Sequence, residues 1–189
     1  MRSLLDGPDA LRGLSRVAGE IIERHRGVKN LVLVGIRRGG VPLAEHLRTV
    51  LRELEGDVAL GTLDITLYRD DAATALPNPR IGPSELPMSV SGKRVVLVDD
   101  VLFTGRTVRA AVDALLDYGR PERIELAVLV DRGGRELPIQ ADYFVKQVDV
   151  PSSERVDVFF ENGVPRAVVQ DGSAPTIPPA APKSPENQK

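Results

Sequence analysis

Two adjacent carboxylates, Asp99 and Asp100, follow the apolar run Val95-Val96-Leu97-Val98, and four residues further on the chain reads Thr104-Gly105-Arg106-Thr107. An ionised carboxylate only accepts hydrogen bonds, so the acidic pair is matched to donors such as vicinal hydroxyls. Threonine hydroxyls, a glycine that lets the backbone come close, and the unpaired N–H groups of a helix start suit a phosphate. Together they complement the two halves of a ribose 5-phosphate. A turn closed by aspartate and an ordinary helix cap explain some of these residues one at a time. They do not explain the glycine together with the paired acids.

A second glycine-containing loop, Arg37-Arg38-Gly39-Gly40, also lies between a predicted strand and a predicted helix. Its arginines could hold a pyrophosphate in bidentate fashion, or could be solvated charges at a helix entry. Neither glycine loop has the GxGxxG spacing. Gly92-Lys93 is followed by Arg94 and lacks the upstream glycines of a nucleoside-triphosphate loop. Dinucleotide and ATPase chemistry lose their main support.

The elements that must position these groups are legible from periodicity. Leu11, Leu14, Val17, Ala18, Ile21 and Ile22 place one apolar face on a helix over 9–25, with Asp6 or Asp9 available as its cap. Short apolar runs predict strands at 31–34, 58–68, 95–98 and 124–130, and helices follow at 42–54 and from Thr107 to Tyr118. Three further short strands are expected at 142–148, 156–160 and 166–170, as an antiparallel edge or cover. Strands alternating with helices give an α/β fold with a largely parallel sheet flanked by helices, and ligands of such sheets bind beyond the carboxyl ends of the strands. Residues 69–93 form a proline-containing connection, long enough to be functional. Residues 172–189, with five prolines, are expected to be a disordered tail behind a domain of 1–171.

Composition narrows the class. The chain has 189 residues, a net charge of -2 and no cysteine, which removes disulfides and thiolate–metal sites. That charge disfavours wholesale nucleic-acid binding but permits a local basic patch. His25 and His46 fall in predicted helices, so a histidine-built metal site or triad is not expected. No leader or membrane span is legible, and a cytoplasmic location is expected.

The stretch Val95 to Thr107 resembles the phosphoribosyl diphosphate (PRPP) signature of type I phosphoribosyltransferases. Three stretches, Asp64 to Asp71, Thr104 to Arg109 and Leu126 to Pro138, resemble one subgroup, the bifunctional pyrimidine-operon attenuation regulators and uracil phosphoribosyltransferases. The resemblance runs along most of residues 4–160. It implies a type I fold with a small hood and a mobile lid, and the reaction of uracil with PRPP and Mg²⁺ to give UMP and pyrophosphate. Asp99, Asp100 and Arg38 would be catalytic. Arg37, Arg38, Gly39 and Gly40 would bind pyrophosphate, and Asp99, Asp100, Val101, Leu102, Phe103, Thr104, Gly105, Arg106 and Thr107 the phosphoribosyl group. Tyr68, Arg69 and Asp70 would open the lid, and Asp131 and Arg132 would lie in the hood over the base. No direct protein metal ligand is implied, the Mg²⁺ arriving with PRPP near Asp99 and Asp100.

The same resemblance implies UMP- or UTP-dependent binding of pyrimidine-operon mRNA through Arg16, Arg24, Arg135 and Lys146 on a homodimer or larger homo-oligomer. Gly19 and Gly134 stand where the family has histidine, Gln140 where it has arginine, and Arg38-Gly39 where the subgroup has Thr-Arg. The alternatives are an enzyme without RNA binding and an RNA regulator whose site mainly senses nucleotide.

Overall fold

The computed structural model describes residues 1–66, 68, 84–86 and 88–173. Its elements run β1 (Arg2–Leu5), α1 (Gly7–His25), β2 (Leu31–Ile36), α2 (Gly40–Leu54), β3 (Ala59–Leu63), β4 (Arg94–Leu102), α3 (Arg106–Leu116), β5 (Arg123–Asp131), β6 (Tyr143–Gln147), β7 (Glu154–Glu161) and β8 (Val164–Asp171). Five strands form a sheet in the order β3-β2-β4-β5-β6, and every pair in it is parallel. The remaining three form a small antiparallel sheet, β1-β8-β7.

Strand alternation divides the core into two layers. Leu31, Leu33, Val96, Val98, Ala127 and Leu129 meet α1, α2 and the inner face of the small sheet. Val32, Val34, Val95, Leu97, Leu126 and Val128 meet α3, with Ile65 and Val90. α1 starts where a carboxylate caps it: Asp6 accepts from the Asp9 N–H at 2.8 Å, and Pro8 occupies the first turn. It ends at Arg26, which is left-handed at φ 53°. Ile21 on its inner face is fully buried, and truncating such a side chain to alanine costs about 2–5 kcal/mol.

Three expectations change. β6 is not antiparallel; it adds parallel to β5, with Ala127 opposite Tyr143 and Val130 opposite Lys146. The crossover between them, 132–142, contains no helix. Only β7 and β8 of the late strands are antiparallel, and they take β1 as a third strand. β1 has too few apolar residues to be seen from its own pattern. Third, the strand expected over 58–68 stops at Leu63, because the Asp64 carboxylate accepts from the Thr66 N–H (2.9 Å) and hydroxyl (2.5 Å) and turns the chain.

The far end of the expected 69–93 connection belongs to the fold. Thr62 and Glu85 exchange backbone hydrogen bonds of 2.8 and 2.9 Å, and Val90 is buried in the α3 layer. The lid residues Arg69 and Asp70, and the tail from 174 onward, lie outside the described residues. Among the described residues, no helix is long and apolar enough to cross a membrane.

Candidate functional site

Each strand of the parallel sheet delivers its carboxyl end to one edge, and the predicted anion loops gather there. β4 runs through Asp99 and Asp100 rather than stopping before them. Alternation breaks at this step: Val96 and Val98 point to the α1 layer and Val101 also packs there, while Leu102 joins Val95 and Leu97 in the α3 layer. The acids occupy the irregularity. Asp99 is 5% exposed, and its Oδ1 accepts from the Asp100 N–H at 3.0 Å. Asp100 is half-buried, and its Oδ1 accepts from the Val101 N–H at 2.8 Å. Burial raises the Asp100 carboxyl above the usual carboxylate range, and the negative charge of Asp157 on β7 adds to the effect.

The turn after β4 starts α3. Gly105 is its N-cap, left-handed at φ 92°, and contributes no side chain to cap the first-turn amides. Thr104 Oγ1 accepts from the Arg106 N–H at 3.3 Å. The Arg106 guanidinium pairs with Glu136 at 2.7 Å. Here the crossover backs the turn: the Glu136 and Leu137 N–H groups donate to the Thr104 carbonyl at 3.0 and 3.1 Å. Residues 104–107 therefore form a helix entry with open amides, held from outside by residues distant in sequence.

The Arg37–Gly40 loop sits directly against the acids. A Cβ at Gly39 would lie 2.1 Å from Asp100 Oδ2, and one at Gly40 would lie 1.9 Å from the Val98 carbonyl oxygen. Glycine at these positions lets α2 start in contact with β4. The Arg37–Arg38 peptide is cis. The two arginines differ in setting. Arg37 is half-buried, its Nη2 3.5 Å from Thr62 Oγ1, and its buried Nε has no hydrogen-bond partner. Arg38 is exposed and has no side-chain partner among the described residues. Of the two, Arg38 is free to meet an incoming anion.

Beyond the end of β4, Phe103 is 38% exposed and lies under the Arg132 guanidinium, 3.9 Å from its ring centroid. Arg132 also donates to the carbonyls of Val150 and Pro151, both at 3.3 Å. Asp131 accepts from the Gly133 N–H at 3.1 Å and pairs with Arg135 at 2.6 Å. Its carboxylate thus braces the crossover. The ring of Phe103 fills the space beside Gly134, where a Cβ would lie 2.4 Å from Phe103 Cε2.

Tyr68 is not brought to this edge. Its hydroxyl hydrogen-bonds Asp117, beyond the end of α3 and about a 16 Å helix length from Arg106. Of the four cations expected to meet RNA, Arg16, Arg24 and Lys146 lie on or beside edge strand β6. Arg16 donates to the Phe144 and Val145 carbonyls at 2.8 and 3.1 Å, and Arg24 pairs with Asp142 at 3.0 Å. Lys146 is exposed. Arg135 is tied to Asp131 and to the carbonyls of Ile139, Phe103 and Gly133.

Two groups escaped the sequence reading. Asp157, held by Arg155 at 3.0 Å and by Gln170, reaches the site from a strand nearly sixty residues away in sequence. A buried cluster at the opposite end of the sheet joins His25 Nε2 to Glu125 Oε2 (2.6 Å), with the Tyr143 hydroxyl donating to Glu125 at 3.1 Å. Arg94 donates to His25 Nδ1 at 3.1 Å, which assigns the ring proton to Nε2. A carboxylate inside an otherwise apolar predicted strand was the one available signal for this cluster.

The phosphoribosyl transferase domain family matches residues 1–160. A bifunctional protein PyrR of Pelotomaculum thermopropionicum is 57% identical over 169 residues, covering 88% of this chain and 93% of that protein. One of Chloroflexus aurantiacus is 53% identical over 176 residues, covering 92% and 97%. Among solved structures, a hypoxanthine phosphoribosyltransferase of Staphylococcus aureus superposes with a TM-score of 0.64 at 21% identity, covering 86% of this chain and 83% of that one. One from Trypanosoma cruzi reaches 0.66 at 24%, covering 82% and 84%. At those identities the structures establish the fold alone.

Proposed function

The chain belongs to the phosphoribosyl transferase family and, within it, to the PyrR proteins, and from that premise we propose that it makes UMP and pyrophosphate from uracil and PRPP. The observation that carries the reading is the gathering of three predicted parts at one sheet edge: the Asp99–Asp100 pair, the Thr104–Thr107 helix entry that follows it in the chain, and the Arg37–Gly40 loop, whose Gly39 lies against Asp100.

In the reaction, the bond from the ribose anomeric carbon to the pyrophosphate oxygen breaks, a bond from that carbon to the uracil nitrogen forms, and the nitrogen loses its proton. Positive charge develops on the sugar and negative charge on the leaving group. Asp99 and Asp100 accept from the ribose hydroxyls and favour the cationic sugar. The amide at Thr107 and the hydroxyls of Thr104 and Thr107 hold the 5-phosphate. Arg38 and the backbone of Gly39 and Gly40 receive the pyrophosphate. The Phe103–Arg132 stack and the backbone beside Asp131 form the wall on the base side. No covalent nucleophile is needed.

The donor set also fits Mg²⁺ carried by its substrate. Magnesium typically takes one or two carboxylates plus substrate phosphates, and the adjacent carboxylates of Asp99 and Asp100 suit that set. It would arrive with PRPP beside Asp99 and Asp100, and when bound it supplies charge at the departing pyrophosphate. Replacing Asp99→Asn together with Asp100→Asn is expected to lower PRPP-dependent UMP formation by at least about 10³-fold, the scale of lost electrostatic stabilisation. Circular dichroism should be unchanged. Near-normal turnover by that double variant would refute the assignment.

The regulatory half of the proposal is UMP-dependent binding of the pyrimidine-operon leader by a homodimer or larger homo-oligomer. It is supported by the bifunctional relatives and by the cations around β6. A ligand acts this way only by favouring one state over another. Leader RNA should therefore bind more tightly with UMP than without it.

A further inference from the structure

The end of the parallel sheet opposite the phosphoribosyl site collects unneutralised positive charge. Three segments meet there, leading into the adjacent strands β2, β4 and β5. The Arg94 N–H donates to the Asn30 carbonyl at 3.0 Å, the Gly92 N–H to the Arg120 carbonyl at 2.9 Å, and the Glu122 N–H to the Lys93 carbonyl at 2.8 Å. Residues 23–30, 91–94 and 119–125 thus form one continuous surface. They carry seven Lys and Arg against three Glu, with Glu55 from the segment before β3 adding one further acid beside Gly27, in a chain whose net charge is -2.

Internal partners do not consume that surplus. Glu125 is buried against His25 and Tyr143. Arg94 turns inward and donates to the carbonyls of His25 and Lys29, which offsets the negative end of α1. Left over are Arg26, Lys29 and Arg120, all exposed and without a side-chain partner among the described residues. Among the described residues, Lys93 reaches only Asn30 Oδ1, at 3.4 Å. Arg24, at the near end of the β6 surface, joins this group to that one.

We propose that this end of the sheet is a phosphate-backbone contact surface, which continues the RNA footprint from β6 onto Arg26, Lys29, Lys93 and Arg120. The proposal rests on the regulatory reading above. Two strand spacings separate the bases of β2 and β5, about 10 Å. That distance is enough to contact neighbouring phosphates of one strand. Lysine and arginine on separate loops suit charge contacts that carry no base readout. The surface is far from Asp99 and Asp100, so its charges can be removed without touching the reacting groups.

The test uses the full chain, UMP and the operon leader transcript, with affinity measured across a series of monovalent salt. Lys29→Ala with Arg120→Ala is compared with the unaltered protein, and PRPP-dependent UMP formation serves as the check on folding. Loss of two phosphate contacts should reduce the slope of log K against log salt by about 1.4 and weaken binding at 0.1 M salt by about 20-fold. UMP formation should stay unchanged. If the unaltered protein binds leader RNA and the double variant matches it in affinity and slope, this surface is overturned while the regulatory reading stands. If the unaltered protein shows no UMP-dependent RNA binding, both are overturned.

Discussion

Asp100 shows how a single residue can be functional and destabilising at once. In the proposed reaction its ionised form accepts hydrogen bonds from the ribose, yet burial and the charge of Asp157 raise its pKa. A carboxyl raised on folding favours the native state when protonated, and that contribution is lost as pH climbs through the folded value. Above the folded value the ionised Asp100 therefore costs stability, and Asp100→Asn should raise the melting temperature there while abolishing turnover. Asp157→Asn removes the like charge, so Asp100 ionises at lower pH. The acid limb of kcat/KM for UMP formation should move to lower pH in that variant, and a limb that stays in place would remove Asp157 from the site. A second residue-scale prediction concerns Gly134, at φ 74° with Phe103 against it. Gly134→Ala should cost about 1–3 kcal/mol by strain and overpacking, measured by urea unfolding. Phe103→Ala in the same chain should relieve the overpacking but not the backbone strain, so the double variant recovers only part of the loss.

At the scale of elements, the site depends on where strands end and how closely helices approach them. The start of α2 lies against the backbone of β4 at Gly40, whose Cβ would overlap the Val98 carbonyl. Backbone cannot swing aside as a side chain can. Gly40→Ala should thus displace the Arg37–Gly40 loop, raising the KM for PRPP by an order of magnitude or more and lowering stability by about 3 kcal/mol. The crossover 132–142 has a similar supporting role. It bonds the Thr104 carbonyl from one side and places Arg132 over Phe103 from the other. Its short-range pattern suggested no parallel partner for β6, because a parallel crossover is commonly helical and this one is not. Periodicity reports which face of a strand is buried. It does not report which neighbour the strand takes.

The whole molecule separates two charged regions at opposite ends of one sheet, the phosphoribosyl site and the buried His25–Glu125–Tyr143 cluster. Burial, reinforced by the charge of Glu125, pushes the Tyr143 phenol up to about 12. The unfolded phenol titrates near 10, so the stability tied to this group is complete below pH 10 and is lost as pH rises toward 12. The loss should amount to about 2 kcal/mol. Tyr143→Phe should flatten thermal stability over that window while sacrificing the hydrogen bond to Glu125 at every pH. Melting temperatures from pH 8 to 12 check both parts. The cluster itself was beyond the reach of sequence reasoning, since its members come from α1, β4, β5 and β6.

Much of the site could be read directly because its chemistry is local. A buried strand, two acids, a left-handed glycine and a helix entry are consecutive in the chain, and each is dictated by short-range sterics and hydrogen bonding. The parallel α/β class followed for the same reason, from periods of 2 and 3.6 residues. Tertiary structure decided everything that joins distant segments. It seated Gly39 on Asp100, brought Asp157 within electrostatic range and added β6 in parallel. It also turned Arg135 and Asp131 toward each other, and left Arg26, Lys29 and Arg120 exposed together at one end. Packing and Coulomb forces act through space, and a one-dimensional pattern carries no distance between residues that only the folded chain makes neighbours.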